Sequence, residues 1–314
     1  MSDPELATRA PENDALEDEP LNDEQTDNTS SKTALPADTP AQTGASMGEH
    51  CTTDRPTPVG SAPSGEITKI NEIDVYISKP ADYPHLPSKL LILLTGGTGL
   101  HSTNNQLQAD RFASKGYLVV MPDMFGGDPA PNSSTTVANT NTSIIEQVKL
   151  RAAEGIKSFM IDMWLARHTD EKVLPIIDKV IEGAKEEFAD AVASGSGVYG
   201  VGYCFGAKYI VQLCGAKSDT TGKVADEEAG NVEAEPLLKT GAIAHATAVT
   251  REDFTGAKSP LLLLCIENDN LFPDDIREAG EETLKANGVD YKLDIYPGVP
   301  HGELTCIYPQ PVPY

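Results

Sequence analysis

Gly197-Val-Tyr-Gly-Val-Gly202-Tyr-Cys204-Phe-Gly206 joins a strand pattern to a helix pattern through a glycine-flanked cysteine. Its first half carries the strand formers Val198, Tyr199 and Val201. Its second half is a cysteine flanked by glycines, and helical spacing is predicted from Ala207 to Gly215. A strand that turns abruptly into a helix around a nucleophile needs glycine two residues before and two after it, because side chains there would collide with strand and helix. Cysteine stands where serine is usual. A thiolate is favoured at a helix N-terminus by the helix dipole, and a neighbouring histidine favours it further. Cys204 is therefore the candidate nucleophile, weighed against the plainer reading of a buried cysteine acting as a small hydrophobe.

Outward from this stretch, strands and helices alternate. Leu90 to Thr95 and Tyr117 to Asp123 are continuous apolar runs, as in strands buried on both faces, with a helix predicted between them over Asn104 to Lys115. Ile67 to Ile70 and Asp74 to Ser78 alternate polar and apolar residues, which predicts an antiparallel edge pair of half-exposed strands. Residues 127 to 142 are rich in Asp, Pro, Asn, Ser and Thr and are predicted to form a loop. Helices are predicted over Ser143 to Arg167, Thr169 to Ala193 and Asp274 to Asn287. Further strands are predicted at Gly197 to Cys204, Thr240 to Ala246, Pro260 to Glu267 and Tyr291 to Tyr296. This alternation predicts one α/β domain with a doubly wound, mainly parallel sheet. Gly195-Ser-Gly197-Val-Tyr-Gly200 has dinucleotide-binding spacing but precedes its strand, which excludes that reading.

A nucleophile needs a base, and the base needs an orienting acid. In an elbow-bearing fold these follow the nucleophile in the order acid, then histidine, in loops at the carboxyl edge of the sheet. Glu267-Asn-Asp269 and Pro300-His301-Gly302 each follow a predicted strand in that order. Asp269 is the expected acid, with Glu267 a weaker candidate, and His301 the expected base. The oxyanion donors are expected to be the backbone N–H of Phe205 and one from Gly96-Gly97-Thr-Gly99, at Gly97. Tyr203 and His245 are expected pocket residues, each with a packing role as the alternative. Trp164, Cys214 and Cys265 are expected in the core.

Composition narrows the remaining classes. The first fifty residues hold twelve acids against Arg9 and Lys32, so they supply ten of the 24 net negative charges. They carry too little apolar surface to offset chain entropy, and residues 1–47 are expected to be a disordered acidic tail ahead of a domain at 48–314. No basic stripe points to nucleic acid. The N-terminal residues show no basic stretch followed by an apolar run, and no segment approaches the length of a membrane span, so a cytoplasmic protein is expected. The five cysteines, 51, 204, 214, 265 and 306, are odd in number and widely spaced, which fits neither a disulfide framework nor a zinc knuckle. No cofactor or metal is expected, and the oligomeric state is left open.

These residues resemble the dienelactone hydrolase family of the α/β-hydrolase superfamily, in particular its fungal branch. The likeness is carried by Gly65-Glu-Ile, Asn105-Gln-Leu-Gln-Ala-Asp110, Gly116 to Phe125, Gly127-Asp-Pro129, Gly202 to Gly206, Ala244-His245, Glu267-Asn-Asp269 and Pro300-His301-Gly302, roughly from 48 to 302. The resemblance implies a Cys–His–Asp triad at Cys204, His301 and Asp269, a thioester acyl-enzyme, and a small ester or lactone as substrate. Three departures stand out. The family's acidic residue near the nucleophile is absent from Thr95 to Gly99, and the arginine that grips a substrate carboxylate after the histidine is absent from Gly302 to Ile307. The family's C-terminal helix is expected to be missing, since Pro309-Gln-Pro-Val-Pro is not helical. The alternatives are a non-enzymatic binding protein on the same fold and, more remotely, a redox-sensing thiol.

Overall fold

The computed structural model describes residues 60–131, 159–215 and 235–302. The expectations for the acidic tail, for 303–314 and for most of the 127–142 loop and the 143–167 helix fall outside these residues, although 159–167 are helical.

The chain enters through a hairpin, β1 (Glu66–Ile70) and β2 (Ile73–Ser78), whose two turn residues, Asn71 and Glu72, both have positive φ. Such a turn matches the twist of the strands it joins. Next come β3 (Lys89–Leu94), α1 (Thr103–Ala113) and β4 (Tyr117–Pro122), then α2 (Asp170–Glu187) and α3 (Ala189–Gly195). The chain continues through β5 (Tyr199–Tyr203), α4 (Phe205–Leu213), β6 (Thr240–Ala244), β7 (Leu261–Ile266), α5 (Asp274–Ala286) and β8 (Tyr291–Tyr296). One eight-stranded sheet results, in the order β1-β2-β4-β3-β5-β6-β7-β8. The β1–β2 and β2–β4 pairs are antiparallel and the rest parallel.

Three expectations need correction. The edge hairpin is not half-exposed in either strand: β1 is exposed at every residue but Ile70, and β2 is buried over Val75–Ser78 because it lies inside β1, against β4. The helix predicted over 169–193 breaks at Phe188 (φ −118°, ψ 44°), whose ring is buried in the core. Anchoring that ring overrides helical continuity. The elbow helix begins at Phe205 rather than Ala207, immediately after Cys204.

The apolar runs at β3 and β4 are buried on both faces, as read. Leu91, Leu93, Val119 and Met121 pack with Ala109 and Ala113 of α1, while Leu90, Ile92, Leu118 and Val120 pack with Val173, Ile177 and Val180 of α2 on the other side. Each such side chain contributes about 2 kcal/mol of burial. β5 lies beside β3 rather than beside β4, so strand order reverses between β3 and β5. The crevice at the carboxyl ends of strands flanking such a reversal is where open α/β sheets bind ligands. Among the described residues no helix is long and apolar enough to cross a membrane.

Candidate active site

The two loops flanking the reversal point meet at Cys204. It ends β5 with φ 49° and ψ −114°, a conformation costly for any residue with a side chain. Neighbouring backbone holds it there. Cys204 N–H donates to Ala244 O (3.1 Å), Gly206 N–H to Thr95 O (3.0 Å) and Thr247 N–H to Cys204 O (3.1 Å). The flanking glycines are required sterically. A Cβ on Gly202 would lie 2.6 Å from Gly206 O, and one on Gly206 would strike the Leu94 carbonyl. On the β3 side, a Cβ on Gly96 would come within 3.2 Å of Cys204 Cβ, so the glycine loop lies directly against the cysteine.

Two further loops complete the cluster. After β7, Asp269 is 6% exposed, and its Oδ1 accepts the Leu271 N–H at 2.9 Å. After β8, His301 places Nδ1 2.6 Å from Asp269 Oδ2. Glu267 is exposed and takes no part. Burial alone would push the His301 pKa down, but the Asp269 hydrogen bond and the nearby Cys204 sulfur outweigh it and raise it to about 9. Cys204 is itself 1% exposed.

Thr247, which the sequence does not single out, stands between the two. Its Oγ1 lies 3.3 Å from Cys204 Sγ and 3.1 Å from His301 Nε2. Its position three residues past β6 carries no motif, so nothing in the chain order marks it. His245, also after β6, takes φ +38° to turn its ring into the cluster, 5.1 Å from the His301 ring and 5.9 Å from that of Tyr203. Burial pushes the His245 pKa down, with the adjacent Cys204 sulfur pulling the other way. Its ring nitrogens meet the Cys204 sulfur and its own backbone, and no oxygen or nitrogen of another described residue. The ligand atoms of Cys204, His245 and His301 lie within 4.8 Å of one another, the one His/Cys/Asp/Glu group among the described residues disposed to hold a metal ion.

α1 supports the site from behind. Asn105 Nδ2 donates to Thr98 Oγ1 (3.0 Å) and Gly99 O (2.8 Å), Gln106 Nε2 to Leu100 O (3.1 Å) and Gln108 Nε2 to Tyr203 OH (2.7 Å). Asp110 accepts from Tyr76 OH, Ser78 Oγ and Ser64 N–H, each at 2.7 Å. The Asn105–Asp110 motif is thus a bracket that ties the glycine loop, Tyr203 and the entering hairpin to one helix. Trp164 is fully buried and packs edge-on against Phe125 and Phe205, which fixes the first residue of the elbow helix. Cys214 and Cys265 are core residues whose thiols burial pushes up to about 12.

A reversed-order parallel sheet with a strained residue at the strand–helix elbow defines the class of the α/β hydrolases. The dienelactone hydrolase family profile matches residues 73–305. Hydrolase pyvD of Aspergillus violaceofuscus is 30% identical over 238 residues, covering 76% of this chain and 78% of its own. The carboxymethylenebutenolidase homolog of Mus musculus is 23% identical over 244 residues, with coverage of 76% and 78%. A Klebsiella pneumoniae protein solved as a candidate dienelactone hydrolase shares the fold at TM-score 0.53 and 19% identity, over 77% of this chain and 88% of that one. The chain belongs to the dienelactone hydrolase family. It is an ester or lactone hydrolase.

Proposed function

We propose that the chain hydrolyses a small ester or lactone through a thioester on Cys204. The observation that carries this reading is the continuous buried chain Asp269–His301–Thr247–Cys204, with contacts of 2.6, 3.1 and 3.3 Å. The thiol proton passes to His301 Nε2, directly or through the Thr247 hydroxyl, and Asp269 stabilises the imidazolium. The Cys204 sulfur then bonds to the carbonyl carbon, and the oxyanion is held by the N–H of Phe205 and a second donor at Gly97. As the C–O bond breaks, His301 returns its proton to the leaving alkoxide, which stays tethered to the acyl group when the substrate is a lactone. Water, deprotonated by His301, cleaves the thioester and releases the acid and the free thiol. Tyr203 and His245 line the acyl side of the pocket.

A panel of p-nitrophenyl esters and small lactones tests this. Cys204→Ala is expected to lower kcat/KM at least about a thousand-fold, as losing a nucleophile does elsewhere. Equal rates for variant and parent would remove Cys204 from the reaction.

A further inference from the structure

The arrangement of Cys204, His245 and His301 is also a set of metal ligands, independent of whether they catalyse. One sulfur and two imidazoles suit borderline d-block cations such as zinc, not magnesium or calcium. An ion with bonds of about 2.3 Å to sulfur and about 2.0 Å to nitrogen sets its ligand atoms roughly 3.5 Å apart. The three atoms here lie within 4.8 Å, so shifts of about an ångström gather them.

Two observations beyond proximity point to a cation. His245 is 3% exposed, and its ring nitrogens meet the Cys204 sulfur, a weak hydrogen-bonding group, but no oxygen or nitrogen of another described residue. A buried imidazole paired so weakly is uncommon. His301, in turn, already has the outer support typical of a metal-bound histidine, with Nδ1 2.6 Å from the Asp269 carboxylate and Nε2 directed inward to Thr247.

We propose that Cys204, His245 and His301 form an inhibitory site for a zinc-like divalent cation, which occupies the catalytic thiol and histidine together and switches hydrolysis off reversibly. On binding, the Cys204–His301 pair gives up one proton, whether that proton rests on sulfur or on Nε2. The cation then bonds to the thiolate and to the lone pairs of both imidazoles, and its fourth position is left to water. With the thiolate and the His301 lone pair committed to the ion, neither attack nor proton transfer can proceed. Removal of the ion by a chelator restores both.

Titration of the full chain with zinc chloride by calorimetry, and with cobalt(II) by absorption, tests the site. The expected result is a tight site with proton release, a thiolate-to-cobalt charge-transfer band, and inhibition by zinc but not magnesium that EDTA reverses. Cys204→Ala should abolish the band. His245→Ala should weaken zinc by at least about a hundred-fold, and Asp269→Asn by about ten- to a hundred-fold. If circular dichroism shows that His245→Ala does not fold, His245→Asn takes its place. A band that survives Cys204→Ala, zinc affinity unchanged without the His245 imidazole, or hydrolysis indifferent to zinc would overturn the proposal. Tight zinc binding at these residues in a chain that hydrolyses no ester would instead overturn the acyl-transfer reading and leave this site standing.

Discussion

Thr247 Oγ1 lies between Cys204 Sγ and His301 Nε2, on one path the proposed proton transfer can take. A hydroxyl both donates and accepts, so it can take a proton from Cys204 and pass one to His301 in the same motion. Thr247→Val, which keeps the shape and removes the hydroxyl, is expected to slow alkylation of Cys204 by iodoacetamide at neutral pH by about five-fold, the equivalent of one net hydrogen bond. Thr247→Ser should restore it. An unchanged alkylation rate in the valine variant would mean that His301 acts on the sulfur alone. His301 also ties stability to pH. Its folded pKa is raised, to about 9, so the imidazolium stabilises the fold in full below the unfolded value near 6.5, and that stabilisation is lost as pH rises through about 9. Urea denaturation from pH 6 to 10 should therefore show the advantage of the parent over His301→Gln shrinking across that window. The motif and loop order singled out Cys204, Asp269 and His301, but not Thr247, because a hydroxyl that works by lying between two groups leaves no spacing signal.

At the scale of elements, the strand–elbow–helix unit and α1 carry the site. Most strands were legible because continuous apolar runs ending at glycine or at Asn and Asp have few other readings. The join at Phe188 was not, because it depends on where one ring finds a cavity. The elbow is constrained from both sides. A Cβ on Gly202 would press on backbone, which cannot yield as a flexible side chain can. Gly202→Ala is expected to cost more than about 2 kcal/mol in urea denaturation, the range for overpacking a tight site. On α1, Asp110 satisfies three donors at 2.7 Å. Asp110→Ala leaves them without that acceptor and should cost about 2–4 kcal/mol, at about one to three kcal/mol for each of the part-buried Tyr76 and Ser78 hydroxyls, less what water recovers. An effect under about 0.5 kcal/mol in either variant would show that the backbone relaxes around it.

For the whole molecule, the sheet's order reversal between β3 and β5 explains why residues from four distant loops converge. Cys204, Thr247, Asp269 and His301 each follow a different strand, and all four strands are parallel with their carboxyl ends on one edge. This was legible in the alternation of strands and helices, since parallel crossovers of one hand place every following loop on the same edge. The acidic N-terminal residues contribute charge with no aromatic or β-branched apolar residue. Their removal (1–47) is expected to leave kcat/KM on small esters within about two-fold, because the residues that meet at Cys204 all lie between 204 and 301 in the chain. A larger loss would give the tail a part in the reaction.

The central claim, that Cys204 becomes acylated, is tested most directly by mixing the chain with p-nitrophenyl acetate, quenching in acid within the first turnover, and mapping the adduct by peptide mass spectrometry. Acetyl is expected on the peptide holding Cys204, lost again with time in the parent and absent in Cys204→Ala. Turnover with no acyl group on Cys204 at any time, or a variant that turns over as fast as the parent, would contradict it.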